Sequence, residues 1–531
     1  PGGLARDGYS FTGWSATAAG SGTSYTQGQT FTMGSANVTL YAKWTANPTY
    51  TVTYDGNDST TGTAPADTTN YEAGATVTVQ GNTGNLKKTG YAFAGWSANT
   101  DGSGITYAPG STFTMGSANA TLYAKWTTST GILDPTFGGD GIVTESIVEG
   151  GDRANAIAIQ ADGKILAAGV SLDTDETISM STLTRFNTDG TLDSSFGTGG
   201  IVRTQVGAGN SRFQSVAIQS DGKIIAAGFS HNGDNYDFAL ARYDSYGNLD
   251  PGFGTGGVVI TPVGSGDDRV YALSIQNDQM IVVAGSTRDG IDTDFALARY
   301  NSDGLLDPGF GTGGIVITPM ASGTGVINAL CIQNDGKIVA AGYSFNGSDN
   351  DFALARYDTT GALDSSFAGG VVIAPVGAGQ NDVANALAMQ NDGKIVAAGY
   401  VFNGTNNDFA LVRFDMTGTL DLNFGTGGTV ITQVGSGQDI AYALAIQNDG
   451  KILAAGEAYN AASTSADLAL IRYDMDGSPD TTFGTGGTIV TPVGTNYDKA
   501  SALAIQDDGY IVAAGWINIG SNENFVLVRY Q

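Results

Sequence analysis

"LDPGFGTGGVVITPVGSG" occupies residues 249–266, and a nearly identical stretch, "LDPGFGTGGIVITPMASG", occupies residues 306–323. Their LD-x-x-F anchor occurs seven times in the 531-residue chain, once with Pro in place of Leu. It places phenylalanines at Phe137, Phe196, Phe253, Phe310, Phe367, Phe424 and Phe483, in steps of 59, 57, 57, 57, 57 and 59 residues. A fixed period of this size is typical of solenoids and propellers.

Each period contains four short apolar runs separated by turn residues. In one copy they are "INALCIQ" (327–333), "KIVAAGYS" (337–344), "DFALARYD" (351–358) and "VVIAPV" (371–376). Apolar runs of this length, bounded by Gly, Asn and Asp, predict β-strands. Four strands per repeat predict the blade of a β-propeller.

The two ends of the repeat region complement each other. The chain stops after the third predicted strand of its seventh unit, at residues 524–531, whereas a spare fourth strand, 141–148, precedes the first unit. Pairing these two segments would complete the seventh blade and remove the open edges of a linear stack. The expected fold class is therefore all-β, with a seven-bladed propeller closed by strands from both ends of the repeat region.

A second repeat lies near the N-terminus, where residues 8–44 return as residues 90–126, an offset of 82. The second copy has an upstream part, residues 50–80, that the first copy lacks. We therefore expect three domains: a partial module at 1–46, a complete module at 47–129 and the propeller at 130–531.

Both repeats resemble known families. The GY-x-F-x-GW opening and TLYAKW close of residues 1–126 resemble the Listeria–Bacteroides (internalin B-type) repeat. That resemblance implies small β-grasp-like modules, strung as stalks on secreted bacterial surface proteins without enzymatic activity. The LD-x-x-FG-x-GG and DGKI-x-AAG signatures of residues 131–531 resemble the delta-60 repeat family, which implies a β-propeller and says little about its ligand.

Charge and composition limit the classes of molecule that the protein can be expected to bind. The net charge is −28 and the isoelectric point is about 4.1. Such a chain repels nucleic acid and anionic membrane surfaces, and no apolar run approaches the roughly 18–20 residues of a membrane span. Cations, neutral sugars or basic proteins suit it better. With one histidine and one cysteine in the chain, a zinc site or a Ser-His-Asp triad has few residues to draw on.

One acidic position recurs eight residues before a repeated glutamine. It holds Asp in five repeats and Ser211 or Gly325 in the other two; the acids are Asp152, Asp268, Asp382, Asp439 and Asp498. Just before the innermost strand, these carboxylates would ring the mouth of the channel and could collect Ca²⁺, which prefers oxygen ligands. The alternative is that each Asp accepts backbone N–H bonds within its own loop. No other cofactor is expected.

A recurring arginine alternates with the Asp of the LD anchor. We expect an ion pair inside each blade that fixes the register of its strands, because such pairs specify geometry more reliably than they add stability. The clearest predicted pairs are Arg242 with Asp250, Arg299 with Asp307, and Arg356 with Asp364.

These observations favour a non-enzymatic protein of the bacterial cell surface or extracellular space. Stalk modules would present a propeller that binds a surface glycan or protein, or that self-associates into a surface layer or filament. The alternative is a secreted polysaccharide lyase or glycosidase that uses the variable loops between the second and third strands.

Overall fold

The computed structural model describes residues 3–84, 86, 88, 91–128, 131–148, 150–172, 178–320, 323–377, 380–460, 465–520 and 522–531. The regular secondary structure of these residues consists of strands, which confirms the all-β prediction. The chain divides into two compact units, Pro1–Ser129 and Thr130–Gln531, hereafter unit 1 and unit 2.

Unit 1 consists of short strands in small sheets. Its strands are β1 (Tyr9–Ser15), β2 (Ser24–Tyr25), β3 (Tyr41–Ala46), β4 (Thr49–Tyr50), β5 (Val52–Asp55), β6 (Tyr71–Glu72), β7 (Thr76–Thr78), β8 (Tyr91–Ser97), β9 (Thr106–Tyr107), β10 (Thr112–Thr114) and β11 (Ala120–Thr128). The largest sheet has the order β5-β11-β8-β9, with β5 and β11 parallel. Trp96 is fully buried in it and donates a hydrogen bond of 2.9 Å to the Gln80 carbonyl.

Unit 2 begins with strand β12 (Ile142–Glu145) and continues with repeated four-stranded sheets. Sheet 1 contains β13 (Asp152–Ile159), β14 (Ile165–Leu172), β15 (Ser179–Phe186) and β16 (Ile201–Thr204); sheet 2 contains β17 (Ser211–Ile218), β18 (Ile224–His231), β19 (Tyr236–Tyr243) and β20 (Val258–Thr261); sheet 3 contains β21 (Asp268–Ile275), β22 (Ile281–Asp289), β23 (Asp292–Tyr300) and β24 (Ile315–Thr318). Sheet 4 contains β25 (Gly325–Ile332), β26 (Ile338–Phe345), β27 (Asn350–Tyr357) and β28 (Val371–Ala374); sheet 5 contains β29 (Asp382–Met389), β30 (Ile395–Phe402), β31 (Asn407–Phe414) and β32 (Thr429–Thr432); sheet 6 contains β33 (Asp439–Ile446), β34 (Ile452–Asn460), β35 (Ser465–Tyr473) and β36 (Thr488–Thr491).

Sheet 7 takes its fourth strand from the start of the unit. It contains β37 (Asp498–Ile505), β38 (Ile511–Ile519) and β39 (Asn522–Tyr530), with β12 hydrogen-bonded to β39. The pairing is antiparallel and joins Ile142 to Val528 and Glu145 to Phe525. Segments 141–148 and 524–531 thus contribute strands to one sheet.

Neighbouring sheets pack through one apolar cluster each. The first strands of successive sheets contact one another, and β37 of sheet 7 contacts β13 of sheet 1. The repeated phenylalanine lies in every such cluster and is fully buried in all seven copies. Phe137 packs with residues of sheet 1 and with Phe525 and Leu527 of sheet 7.

The glycine that ends the Ala-Ala-Gly sequence of the second strand is explained by a β-bulge in the first strand. In sheet 4 the register shifts between Ile327 and Ala329, which brings the Val326 carbonyl towards Gly342. A Cβ atom on Gly342 would lie 1.8 Å from that oxygen. The same shift occurs in the first strand of every sheet, so each repeat needs glycine here.

One turn departs from the repeat and yields a stability prediction. The first-to-second strand turn has a glycine of φ 84° at Gly336, but sheet 3 has Gln279 there, with φ 68°. A non-glycine residue in this left-handed region is strained. We expect Gln279→Gly to raise the free energy of unfolding by about 1 kcal/mol. Gly336→Gln should lower it by a similar amount in denaturant titrations, and equal stability of all three proteins would contradict this.

Candidate binding surface

The predicted ion pairs are formed, and each is buried or nearly so. Arg242 Nε lies 2.9 Å from Asp250 Oδ2, and Arg356 Nε lies 2.9 Å from Asp364 Oδ2. Arg299 reaches Asp307 Oδ2 at 2.6 Å. The same pair occurs in the other four repeats, as Arg185–Asp193, Arg413–Asp421, Arg472–Asp480 and Arg529–Asp134.

These arginines also join each sheet to the next, a contact that the sequence analysis missed. The Arg356 guanidinium lies 4.6 Å from the centre of the Phe367 ring and donates a 2.5 Å hydrogen bond to the Met416 carbonyl, which belongs to the following repeat. Arg529 of sheet 7 donates in the same way to the Thr188 carbonyl of sheet 1, at 2.5 Å. The arginine therefore fixes the position of neighbouring sheets as well as the register within one.

A lysine completes most of these pairs. Lys337 Nζ lies 3.0 Å from Asp364 Oδ2, but in sheet 3 Met280 occupies the lysine position, so Asp307 has the arginine alone. Hydrogen bonds from Ser366, with Lys337 and Arg356, hold the pKa of Asp364 far below its usual range. The pKa of Asp307 is also lowered, mainly by the Gly309 backbone N–H.

The five recurring acids at the start of the first strands are buried and turned towards their own loops. Asp152 Oδ2 accepts hydrogen bonds from the backbone N–H groups of Ile147 and Val148, at 2.7 and 3.1 Å. Asp268, Asp382, Asp439 and Asp498 each accept two such bonds from the residues four to six positions before them. This is the loop-holding geometry of the alternative considered above.

The predicted calcium role of these acids stays a prediction. Across the described ranges, the structure brings together no group of three or more His, Cys, Asp or Glu residues able to hold a metal ion. Each of the five carboxylates stands on a different sheet, with one oxygen already engaged by backbone N–H groups.

Burial of these acids predicts that unit 2 gains stability on mild acidification. Burial raises the pKa of Asp152 to about 6, and the nearby Glu145 carboxylate adds to the rise. The unfolded value is about 3.9, so between these values the folded state binds more protons and stability rises as pH falls. From pH 7 to pH 5 we expect Asp152 to add about 1 kcal/mol to the free energy of unfolding.

Denaturant unfolding of the native protein and of Asp152→Asn, at both pH values, measures this contribution. The variant should lack it because the amide does not titrate. A pH dependence that is identical in the two proteins would contradict the assignment.

The position after the recurring acid, or after Ser211 in sheet 2, contributes to a different surface, which is shared between sheets because their first strands contact one another. Four of the residues at this position are basic and come from consecutive sheets 7, 1, 2 and 3: Lys499, Arg153, Arg212 and Arg269. We call them the basic segment. Arg153 forms a bidentate ion pair with Glu523, and Arg269 lies 3.1 Å from Asp267. Among the described residues, no carboxylate lies within ion-pair distance of Arg212 or Lys499.

The basic side chains affect one another and lie against aromatic rings. Burial lowers the pKa of Lys499 to about 8; the Glu457 carboxylate opposes this fall and Arg153 adds to it. Burial, Arg153 and Arg269 likewise lower the pKa of Arg212. Arg212 lies 5.3 Å from the centre of the Phe229 ring, and Lys499 Nζ lies 3.3 Å from that of Tyr442.

Tyrosines from sheets 3, 4, 5 and 6 continue this surface, together with one that precedes β37: Tyr271, Tyr343, Tyr400, Tyr442 and Tyr497. We call them the tyrosine segment, and the two segments together the first-strand surface. Each of these tyrosines is half-buried. Burial raises the pKa of Tyr343, and its neighbours Tyr271 and Tyr400 on the adjoining sheets add to the rise, so these three phenols lie near one another.

A buried acid lies where the two segments meet. Glu457 Oε1 accepts a 2.5 Å hydrogen bond from the Tyr497 hydroxyl and a 3.3 Å bond from Tyr442. Burial raises the pKa of Glu457, whereas Lys499 and the two hydroxyls oppose the rise. Glu457, Tyr459 and Tyr497 line an open recess of about 340 Å³, which lies within the size range of small-molecule sites.

The sequence analysis missed the first-strand surface, although a signal for it exists. Its residues occupy the position directly after the recurring acid, or nearby positions of the first and second strands, but their identity changes from repeat to repeat. Aligning the repeats shows Arg153, Arg212, Arg269 and Lys499 in one column. Only the contacts between first strands show that this column forms a single surface.

Comparison with known proteins agrees with both resemblances. Residues 160–196, 219–253, 276–310, 333–367, 390–424 and 447–483 match the family described as a domain of unknown function (DUF5122) beta-propeller. Residues 1–43 and 50–125 match the Listeria-Bacteroides repeat domain. The chain is therefore a β-propeller repeat protein. More particularly, it joins Listeria–Bacteroides repeats to DUF5122 propeller repeats, which confirms the two resemblances found in the sequence.

Individual relatives are similar over part of their length. The chain is 45% identical over 130 residues to a protein of Evansella cellulosilytica named "Putative Gly-rich membrane protein", and 38% identical over 155 residues to its "Putative membrane protein". These matches cover 24% and 27% of this chain, and 15% and 23% of the relatives. The chain thus spans less than a quarter of the length of either relative.

A solved virginiamycin B lyase from Staphylococcus aureus is 11% identical, with a TM-score of 0.42 over 73% of this chain and 98% of the lyase. Within the residues that the structure describes, no helix is long and apolar enough to cross a bilayer.

Proposed function

We propose that this protein is a non-enzymatic recognition protein of the bacterial cell surface or extracellular space, in which unit 2 is a closed seven-bladed propeller. Its role is adhesion or assembly into a surface layer or filament. The Listeria–Bacteroides repeats support the location, because such repeats are typical of bacterial surface proteins.

Closure is supported by three contacts between the ends of unit 2. Strand β12 completes sheet 7, the Phe137 cluster joins sheet 7 to sheet 1, and Arg529 reaches both Asp134 and the Thr188 carbonyl. Full closure would cover sheets 1 and 7 with each other and leave only the short edges of the separate four-stranded sheets.

The recognition role is supported by the different locations of charged residues that recur in every repeat and of those that do not. Charged groups that recur in every repeat, such as Arg356 and Asp364, are buried in contacts that hold the sheets together. Four basic residues, Glu457 and five tyrosines that do not recur in every repeat lie together on the first-strand surface. A rigid frame that presents one variable surface suits binding.

Location and assembly are tested on the organism that makes the protein. Antibodies against unit 2 should label intact cells, and labelling only after permeabilisation would contradict a surface location. Electron microscopy of the same cells distinguishes the two roles, because ordered arrays are expected for a layer or filament subunit and not for an adhesin.

A second candidate is the secreted polysaccharide-active enzyme, which one observation favours. Lys499, with a pKa of about 8, lies beside the hydrogen-bonded Glu457 and Tyr497, and a base whose pKa is near the working pH suits proton abstraction. In a lyase step, Lys499 would take the C5 proton of a uronate while the C4–O bond breaks and Tyr497 protonates the departing oxygen. Release of unsaturated sugars, lost in Lys499→Gln, would establish this candidate.

A further inference from the structure

We infer that the first-strand surface binds a carboxylated oligosaccharide, whose carboxylates lie against Arg212 and Lys499 and whose sugar rings lie along the tyrosine segment. This inference rests on the proposed recognition function and specifies its ligand class. It follows from the charge, spacing and aromatic content of this surface.

The charge of the basic segment is the first argument. The chain has 51 acidic and 23 basic residues, yet four basic side chains of consecutive sheets share this one surface. Arg212 and Lys499 are half-buried, and the part of the chain that the structure describes offers neither of them a carboxylate within ion-pair distance, although Glu457 acts on Lys499 from farther away. Anions from a ligand would relieve their mutual repulsion and supply charge-assisted hydrogen bonds.

The spacing of the charges decides what kind of anion fits. A phosphate or sulfate group is bound by several donors that converge on one point. Here the two cations without a carboxylate at ion-pair distance, Lys499 and Arg212, stand on sheets 7 and 2, with the paired Arg153 of sheet 1 between them, so the available positive charge does not converge on one point. An extended ligand with carboxylates on more than one of its units suits this arrangement.

The tyrosine segment favours a sugar over an acidic peptide. The half-buried phenol rings of Tyr343 and Tyr400 offer apolar faces, on which the C–H faces of sugar rings can pack, and hydroxyl groups that donate and accept hydrogen bonds with sugar hydroxyls. Tyr442 and Tyr497, by contrast, already donate to Glu457. Next to Tyr497, Glu457 adds an acceptor at the wall of the 340 Å³ recess. An extended oligosaccharide can therefore occupy the recess with one unit while its other units reach the basic segment.

The test is calorimetric titration of the full chain with tetra-galacturonic acid and with its methyl ester, which has lost the charges but keeps the sugar rings. We expect the acid to bind and the ester to bind at least about tenfold more weakly. Added salt should lower the affinity of the protein for the acid. Arg212→Gln and Lys499→Gln should each lower the affinity for the acid by about tenfold or more, as expected for loss of one charge-assisted hydrogen bond.

The matched control is Arg288→Gln, which removes an exposed arginine of sheet 3 that lies outside the first-strand surface. It should bind like the native protein, and thermal unfolding of all three variants should show that each is folded. The inference is overturned if the acid does not bind, if the ester binds as tightly, or if Arg212→Gln and Lys499→Gln bind like Arg288→Gln.

The failure of the inference and that of the proposed function are distinguishable. Chromatography of the same mixtures after incubation reports turnover. Binding with turnover would uphold the ligand class and refute the non-enzymatic function. Absence of binding would refute the ligand class and leave the surface location to the antibody experiment.

Discussion

Replacing Phe137 by alanine is expected to lower the free energy of unfolding of unit 2 by about 3–5 kcal/mol. Phe137 is fully buried between sheets 1 and 7, where it packs with Phe525 and Leu527. The Arg529 guanidinium lies 4.6 Å from the centre of its ring. The substitution removes buried apolar contacts and leaves a cavity at the point where the two ends of the unit meet. Denaturant unfolding followed by circular dichroism measures the loss.

Phe253→Ala is the matched control, because Phe253 fills the same position between sheets 2 and 3. It is equally buried, with Arg242 at 4.7 Å from its ring. If unit 2 is closed, the two variants should lose similar stability. A small effect at Phe137 beside a large one at Phe253 would show that sheets 7 and 1 do not form a stable interface, and would refute closure.

Replacing Arg299 by methionine is the second change with a large expected effect. It leaves the Asp307 carboxylate without its cation in a site where that side chain is only 15% exposed. Breaking a fully buried pair costs about 3–5 kcal/mol; the residual exposure puts the expected loss near the lower end, at about 3 kcal/mol. The loss is again measured as the free energy of unfolding in denaturant.

Arg356→Met provides the comparison within the same chain. Lys337 remains 3.0 Å from Asp364 after that substitution, so we expect a smaller loss of about 2 kcal/mol. The charge-free double variant Arg299→Met/Asp307→Leu should recover much of the lost stability, because the stranded charge is gone. Equal losses at Arg299 and Arg356 would show that the lysine contributes nothing to the pair.

The repeat made most of the fold predictable. The period placed the four strands of sheet 4 correctly, because the predicted runs at 327–333, 337–344, 351–358 and 371–376 contain the greater part of β25–β28. The pairing of 141–148 with 524–531 followed from simple complementarity of the ends. The contact of Arg356 with the next sheet could not be predicted. The repeat pattern of a single sequence does not show which backbone carbonyl of a neighbouring repeat lies beside a given side chain.

The site was less predictable for a related physical reason. Recurrence drew attention to Asp152 and its equivalents and allowed two roles for them, a calcium site or backbone N–H bonds within their own loops, but only the structure shows that the carboxylates accept those N–H bonds. Arg212 and Lys499, by contrast, occur in different repeats far apart in sequence, and no recurring motif marks them. Packing collects them on one surface, so the folded structure was needed to find it.

The pairing between the two ends also constrains how the protein is made. Asp134 and Arg529 are 395 residues apart, so β12 leaves the ribosome long before β39, its hydrogen-bonding partner, exists. Until then β12 has no partner strand and sheet 7 is incomplete, and unpaired strand edges are prone to aggregate. Completion of sheet 7 therefore comes late in synthesis, and prematurely terminated products, which lack β39, should depend on chaperones or be degraded rather than accumulate.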